Sequence, residues 1–174
     1  VLDAPFFDEL SAKGNALLDP ASEYYADIVE RCCQLKADVV TADERDTDGR
    51  RAVLNYGHTF GHALERLDGY TEMTHGEAIS IGMGMAADLA AKLWSDDDTA
   101  ALGGRQDAFF EAVGLPVRAT GFKPEAVLDA MGTDKKTVDG QLRLVLVRRP
   151  GQAQMVADID SSIILEAIGG RCDT

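Results

Sequence analysis

The chain has 174 residues, enough for one domain whose core is large enough to fold without disulfide bonds. Its 30 acidic and 17 basic residues give a net charge of −13, which argues against nucleic acid and anionic membranes as partners and requires a local cationic pocket for any anionic substrate. The cysteines Cys32, Cys33 and Cys172 lack metal-site spacing and predict a reducing, cytoplasmic location.

The N-terminal half shows helical spacing of its apolar residues. Apolar side chains recur at steps of three and four from 22 to 40, which predicts an amphipathic helix that begins behind Ser22. The charged residues 43–49 end in glycine, a composition typical of a solvated turn. Helical spacing returns over 50–67 and again over 75–94, where many small residues favour close helix packing.

Two glycines interrupt the apolar pattern of the 50–67 segment. Gly57 and Gly61 each cost about 1 kcal/mol relative to alanine inside a helix. We therefore expect another element or a substrate to approach the bare backbone at these positions. Leucine there should lower activity, whereas alanine should stabilise the helix by up to about 1 kcal/mol.

The C-terminal half ends with a change of period. Further helices are predicted over 99–113, from Pro124 onward and over 161–168. Between the last two, residues 142–147 alternate and Pro150-Gly151 supplies a turn before 152–157, which predicts a β-hairpin. The expected architecture is a single, mostly α domain over residues 1–174 with one small hairpin near the C-terminus.

All three histidines fall within eighteen residues. His58 and His62 lie four apart and project from one helix face, and His75 begins the next helix. Three clustered imidazoles suit a zinc site, although hydrogen-bonded core histidines remain the alternative. Glu65 and Glu77 could complete a ligand set, but each is more typical of a solvated helix charge. Spacing alone does not choose the ligands.

Two weaker motifs have structural explanations. Residues 82–87 fit G-x-G-x-x-A, but the surrounding pattern is helical, so helix packing explains these glycines better than nucleotide binding does. The pair Lys135-Lys136 in a turn-like segment is typical of solvated surface, and an anion clamp is the alternative.

The histidine segment resembles a known family. Residues 51–65, RAVLNYGHTFGHALE, followed by 75–83, HGEAISIGM, resemble the signature of 3-dehydroquinate synthase, a sugar-phosphate cyclase. Residues 36–44 and 134–146 extend the likeness over essentially the whole chain. The resemblance implies the multihelical C-terminal domain of an NAD- and metal-dependent carbon-oxygen lyase of the shikimate pathway. That enzyme cyclises 3-deoxy-arabino-heptulosonate 7-phosphate to 3-dehydroquinate with elimination of phosphate.

The resemblance also assigns the metal site. It implies that His58 and His75 bind Zn²⁺ or Co²⁺ and that His62 handles protons beside the substrate. The family's third ligand is a glutamate in an A-E-x-x-K-x-G segment that would precede Val1, as would the NAD-binding domain. We therefore expect a fragment that is inactive alone, that pairs with its own N-terminal domain, and whose full-length form is a homodimer.

The remaining roles concern the substrate anions. The resemblance implies that Lys36 and Arg51 face the carboxylate, while Asn55 and either Lys135 or Lys136 bind the phosphate. One alternative is a related cyclase of the 2-deoxy-scyllo-inosose synthase type, whose substrates lack the carboxylate. A noncatalytic metal-binding helical module and a regulatory remnant are the alternatives outside catalysis.

Overall fold

The structure is a computed structural model that describes residues 2–45, 49–132 and 142–173. The α-helices are α1 Ala4–Lys13, α2 Glu23–Ala42, α3 His58–Asp68, α4 His75–Trp94, α5 Asp97–Ala112, α6 Pro124–Gly132 and α7 Ser161–Gly169. Two 3₁₀ helices span Gly14–Leu18 and Arg50–Asn55. The strands are β1 Ala119–Thr120, β2 Leu144–Arg149, β3 Gln152–Val156 and β4 Cys172–Asp173. The predicted mostly α class is confirmed.

Helix α4 is the centre of the core. It packs against α3, α5, α7 and β2. Ile81, Met85 and Leu89 are at most 1% exposed, and residues on nearly every side of α4 are buried, as expected for a helix surrounded by other elements. Among the described helices, none is both long enough and apolar enough to cross a membrane.

Segment 50–67 is not the continuous helix that its apolar spacing predicts. It consists of the 3₁₀ helix and α3, separated at Gly57, whose φ of +76° is left-handed. A residue with a side chain rarely adopts this conformation, so the glycine both ends one helix and begins the next. The turn before this segment also differs from the prediction. Asp43 is buried rather than solvated, and its carboxylate accepts the backbone N–H of Arg50 at 3.1 Å.

The predicted hairpin is confirmed. Strands β2 and β3 pair antiparallel, with Leu144 opposite Val156 and Leu146 opposite Gln154. Gly151 has a φ of +84°, as the third residue of a type II turn requires. A parallel pair formed by β1 and β4 was not predicted.

Other helix boundaries agree with the sequence pattern to within a few residues. Helix α4 begins and ends at the predicted residues. Helix α2 begins behind Ser22, although the serine side chain makes no capping hydrogen bond. Helix α1 was not predicted. It is capped by Asp3, whose carboxylate accepts the N–H of Phe6 at 2.9 Å.

Candidate metal and substrate site

The turn between α3 and α4 brings the three histidines together. Asp68, at the end of α3, accepts backbone N–H groups of Thr71, Glu72 and Met73 at 2.9–3.0 Å. These hydrogen bonds lower the pKa of the Asp68 carboxyl. Thr74 then forms a capping box with Glu77, so that α4 begins at His75. The turn therefore fixes the first residue of α4 against the flank of α3.

The imidazole rings form a compact triangle. Their centroids are 5.4 Å apart for His58 and His62, 5.6 Å for His58 and His75, and 5.9 Å for His62 and His75. With a zinc–nitrogen bond of about 2.0–2.1 Å, two rings that share one tetrahedral ion have centroids roughly 5 Å apart. Every pair is compatible with a common ion, so the ring distances do not choose the ligands.

Hydrogen bonds at Nδ1 distinguish the three rings. The Nδ1 of His58 lies 3.1 Å from the carbonyl oxygen of Tyr56, and the Nδ1 of His75 lies 3.0 Å from Oε1 of Glu65. A carbonyl or carboxylate oxygen accepts, so in the neutral form of each ring the proton is on Nδ1 and the lone pair is on Nε2. In the part of the chain that the structure describes, His62 makes no hydrogen bond. The site thus contains two oriented imidazoles and one that is unconstrained by hydrogen bonds.

Tyr56 holds the carbonyl that orients His58. Its ring is buried, and its hydroxyl lies within hydrogen-bond distance of the Met83 carbonyl and of Gln106 Oε1, at 3.2 and 3.1 Å. Burial raises the pKa of the Tyr56 phenol, so the hydroxyl stays protonated and able to donate. The residue before Gly57 is therefore tied to α4 and α5.

A cavity of about 400 Å³ opens beside His62 and His75. Its walls come from α3, the following turn, the start of α4 and α6, and consist of Thr59, His62, Ala63, Glu65, Arg66, Tyr70, His75 and Ala130. Arg66 also donates to the carbonyl of Ala130 at 3.2 Å. Arg66 lies four residues after His62, so its position on this face could have been inferred from helical spacing.

The prediction that Glu65 is a solvated helix charge is wrong. The residue is 7% exposed, and the imidazole of His75, the first residue of α4, lies 3.0 Å from its Oε1. Ligand atoms of His62, Glu65 and His75 all lie within 4.8 Å of one another and form a second possible metal set. Glu77, in contrast, serves the capping box, and its hydrogen bonds with Thr74 lower the pKa of its carboxyl.

The other predicted site residues lie on neighbouring elements. Arg51 and Asn55 are half-buried on the 3₁₀ helix, and Lys36 is exposed on α2. Lys36 and Leu54 line one cavity, so α2 and the 3₁₀ helix meet at the lysine. Within residues 2–45 and 49–132, Lys36 and Arg51 have no carboxylate partner. Lys135 and Lys136 lie outside the described residues.

The G-x-G-x-x-A segment lies within α4, as predicted. A Cβ on Gly82 would meet the carbonyl oxygen of Gly57 and would lie 2.7 Å from the nitrogen of Gly61. This glycine therefore permits α3 and α4 to touch through their backbones. The packing explanation of the motif agrees with these contacts.

Comparison with known proteins identifies the family. Residues 1–137 match the family described as 3-dehydroquinate synthase C-terminal. The chain belongs to this family. It is 42% identical over 174 residues to the 3-dehydroquinate synthase of Teredinibacter turnerae and 44% identical over 166 residues to that of Rhodopirellula baltica. These alignments cover 99% and 95% of the chain but 47% and 44% of the two relatives, so the chain spans less than half of their length.

Solved structures of related cyclases share the fold. The 2-epi-5-epi-valiolone synthase ValA of Streptomyces hygroscopicus, solved with NAD⁺ and Zn²⁺ bound, has a TM-score of 0.79 at 25% identity. The match covers 98% of this chain and 47% of the ValA chain. A 2-deoxy-scyllo-inosose synthase complexed with carbaglucose-6-phosphate, NAD⁺ and Co²⁺ has a TM-score of 0.64 at 23% identity. This match covers 82% of the present chain and 40% of the synthase chain.

Proposed function

We propose that this chain is the metal- and substrate-binding half of a 3-dehydroquinate synthase. The whole enzyme would convert 3-deoxy-arabino-heptulosonate 7-phosphate to 3-dehydroquinate with release of phosphate. The proposal rests on the pair His58 and His75 in a chain of this family. Their ring centroids are 5.6 Å apart, and the Nδ1 of each ring is hydrogen-bonded to an acceptor.

In this proposal His58 and His75 hold Zn²⁺ or Co²⁺ through Nε2. Two neutral imidazoles with oriented Nδ1–H groups fit such an ion, and a further ligand would come from outside the chain. When bound, the metal would polarise a substrate hydroxyl as a Lewis acid, and NAD, which the other half of the enzyme would mainly hold, would be the hydride acceptor. The two histidines would contribute rings whose Nδ1–H groups are held by hydrogen bonds, which leaves Nε2 for the ion.

His62 is proposed to move protons. It lies beside both oriented rings, lines the cavity, and makes no hydrogen bond within the described part of the chain. A neutral imidazole can accept a proton from a substrate hydroxyl and return it. Its freedom from a fixed acceptor suits this role better than that of a metal ligand.

The substrate anions require cations in a strongly acidic chain. We assign the substrate carboxylate to Arg51 and Lys36, because neither has a carboxylate partner within residues 2–45 and 49–132. Arg51 offers the bidentate geometry that a carboxylate accepts. Asn55 and one of Lys135 or Lys136 are assigned to the phosphate by family resemblance, and the lysine assignment rests on residues outside the described ranges.

A related cyclase activity is the second candidate. It is favoured by the TM-score of 0.79 with 2-epi-5-epi-valiolone synthase over 98% of the chain. The 42% and 44% identities with 3-dehydroquinate synthases, against 25% with that cyclase, favour the first candidate. Assaying sugar phosphates that lack the carboxylate beside the carboxylated substrate separates the two.

Reconstitution tests the proposal directly. The chain is combined with the N-terminal half of the Teredinibacter turnerae enzyme, NAD and Zn²⁺, and phosphate release and bound zinc are both measured. We expect release only from the mixture, because the chain alone lacks a hydride acceptor and half of the site. His58→Ala and His75→Ala should lose zinc and turnover together. His62→Ala should keep zinc and lose roughly 10²–10⁴-fold in rate.

Two outcomes would contradict the proposal. Phosphate release by the chain alone would show that the site is complete without a second half. Full turnover by a mixture that contains His75→Ala would show that this imidazole is not a ligand.

The cellular location and the oligomeric state of the enzyme are part of the proposal. Cys32, Cys33 and Cys172 are free thiols, which suits the reducing cytoplasm. The full-length enzyme is proposed to be a homodimer by family resemblance, and analytical ultracentrifugation of the full-length protein would test this assignment.

A further inference from the structure

We propose that Glu65 is a positioning residue that fixes the His75 imidazole in its Nδ1–H tautomer and thereby presents Nε2 to the metal. The metal part of this inference rests on the proposed function. The tautomer part concerns the chain itself and is measurable without any ion.

The burial of Glu65 points to a specific task. Its side chain is 9% exposed, whereas the side chain of His75 is 58% exposed. A buried carboxylate requires a hydrogen-bond partner, and the Nδ1–H of His75 at 3.0 Å is the one side-chain partner of Glu65 within the described residues. The carboxylate sits on α3 and the imidazole begins α4, so this bond joins the two helices at the candidate site.

Without this bond the exposed ring of His75 could adopt either neutral tautomer, with the proton on Nδ1 or on Nε2. A carboxylate accepts but cannot donate, so it selects the Nδ1–H form. It also increases the electron density of the ring and hence the basicity of Nε2 as a ligand. The Nδ1 of His58 lies 3.1 Å from a neutral acceptor, the carbonyl oxygen of Tyr56, whereas the acceptor at His75 Nδ1 is a carboxylate.

The alternative is that Glu65 itself binds the ion, together with His62 and His75. The three groups are close enough, with ligand atoms within 4.8 Å of one another. In that arrangement the ion would occupy the place of the Nδ1 proton and would break the bond between Glu65 and His75. The two arrangements therefore predict different coordinating nitrogens on one ring.

Nitrogen NMR of the ¹⁵N-histidine-labelled chain distinguishes them, with rings assigned by single His→Gln variants. In the metal-free chain we expect His75 Nδ1 to be protonated and Nε2 to be unprotonated at pH 7.5. On addition of Zn²⁺ alone, the Nε2 resonance should shift while Nδ1 keeps its proton. Coordination through Nδ1, or an Nε2–H tautomer in the metal-free chain, would overturn the proposal.

Variants separate positioning from a merely structural role. Glu65→Gln keeps an oxygen acceptor but loses the charge, so it should retain the tautomer and bind Co²⁺ with intermediate affinity. Glu65→Ala should release the tautomer and weaken Co²⁺ binding about 10–100-fold. Glu77→Gln is the matched control, because Glu77 caps the same helix end through Thr74 and glutamine also serves in a capping box. It should change neither readout.

The outcomes keep the two proposals distinct. If the wild-type chain binds neither ion, but Glu65→Ala still releases the tautomer, the metal assignment fails and the positioning effect of Glu65 stands. If the tautomer is unchanged in a folded Glu65→Ala variant, the positioning role fails, whatever the affinity for metal. Thermal unfolding of each variant shows that the comparison is made between folded proteins.

Discussion

Gly57 and Gly61 determine how closely the two histidine-bearing helices approach each other. A Cβ on Gly57 would lie 2.6 Å from the backbone nitrogen of Met83, and one on Gly61 would lie 3.0 Å from the carbonyl oxygen of Ala78. Both partners are backbone atoms of the α4 segment, which cannot move aside as a flexible side chain can. The expectation that alanine stabilises the helix is therefore wrong for Gly57, and at Gly61 the close contact disfavours alanine as well. The expected close approach of another element to these two glycines is confirmed.

Gly57→Ala should destabilise the chain by about 1–3 kcal/mol, the usual cost of overpacking. The left-handed φ of +76° adds strain for any residue with a side chain. Gly104→Ala is the control, because this exposed glycine lies within α5 and its Cβ would meet nothing within 4 Å. It should gain up to about 1 kcal/mol. Urea unfolding monitored by circular dichroism measures both, and equal stability of Gly57→Ala and wild type would contradict the packing argument.

At the scale of elements, the sequence pattern predicted the helices and the hairpin, whose structure depends on residues close together in the chain. The limits of α4 followed from its apolar period, and the hairpin followed from Pro150-Gly151 and the alternating strand before it. Helix α1 had usable signals in Asp3 and Pro5. The strands β1 and β4 have two residues each and pair across more than fifty positions, so no sequence period could reveal them.

In the candidate site, too, features that depend on nearby residues were predicted and features that depend on distant contacts were not. Clustering of the histidines was visible from spacing, because it depends on one helix and one turn. The burial of Glu65 was not, because it depends on where α4 begins relative to the flank of α3. The break at Gly57 was also missed, because apolar spacing continued across it and neither its left-handed φ nor its close approach to Met83 appears in that spacing.

Asp96 makes the start of α5 sensitive to acid. Its carboxylate accepts from the backbone N–H and the hydroxyl of Thr99, at 2.9 and 2.7 Å, and from Arg148 at 2.8 Å. The hydrogen bonds with Thr99 and then the guanidinium lower its pKa from 3.8 to about 2. Because the folded pKa is depressed, the contribution of Asp96 is complete above pH 4 and is lost as the pH falls towards 2.

Asp96→Ala should therefore be less stable than wild type at pH 6, and the difference should shrink between pH 4 and pH 2. Urea unfolding at intervals over this range measures the difference. Asp97→Ala is the control, because Asp97 is an exposed first-turn carboxylate that does not cap α5. A difference between wild type and Asp96→Ala that stays constant from pH 6 to pH 2 would contradict the capping role.

At the scale of the whole molecule, α4 connects the candidate site to the C-terminal end of the chain. One flank of α4 carries the contacts with α3, and Arg171 reaches the helix from the segment before β4. Arg171 is 6% exposed and donates to Asp88 of α4 at 2.6 and 2.8 Å and to Asp107 of α5 at 2.8 Å. A Cβ on Gly84 would lie 2.8 Å from Nη1 of Arg171, so the glycine leaves room for the guanidinium against α4. The chain end is thus fastened to two core helices.

Burial alone would lower the pKa of Arg171, but the hydrogen bonds that its guanidinium donates to Asp88 and Asp107 outweigh burial and raise the pKa. The arginine is therefore charged at every pH at which the chain folds, and its removal leaves two partly buried carboxylates without their partner. Arg171→Met, which nearly preserves volume, should cost about 3 kcal/mol, the lower end for a broken buried pair, because both carboxylates keep some contact with water.

The triple variant Arg171→Met, Asp88→Asn, Asp107→Asn should recover part of this loss, because it removes the unpaired charges as well as the pair. Urea unfolding of the wild type, Arg171→Met and the triple variant measures both steps. If the loss came from packing alone, the triple variant would be no more stable than Arg171→Met. Recovery would show that the C-terminal end is held by charge, so that α4 is fixed from the side of the molecule that carries Arg171 as well as through its contact with α3.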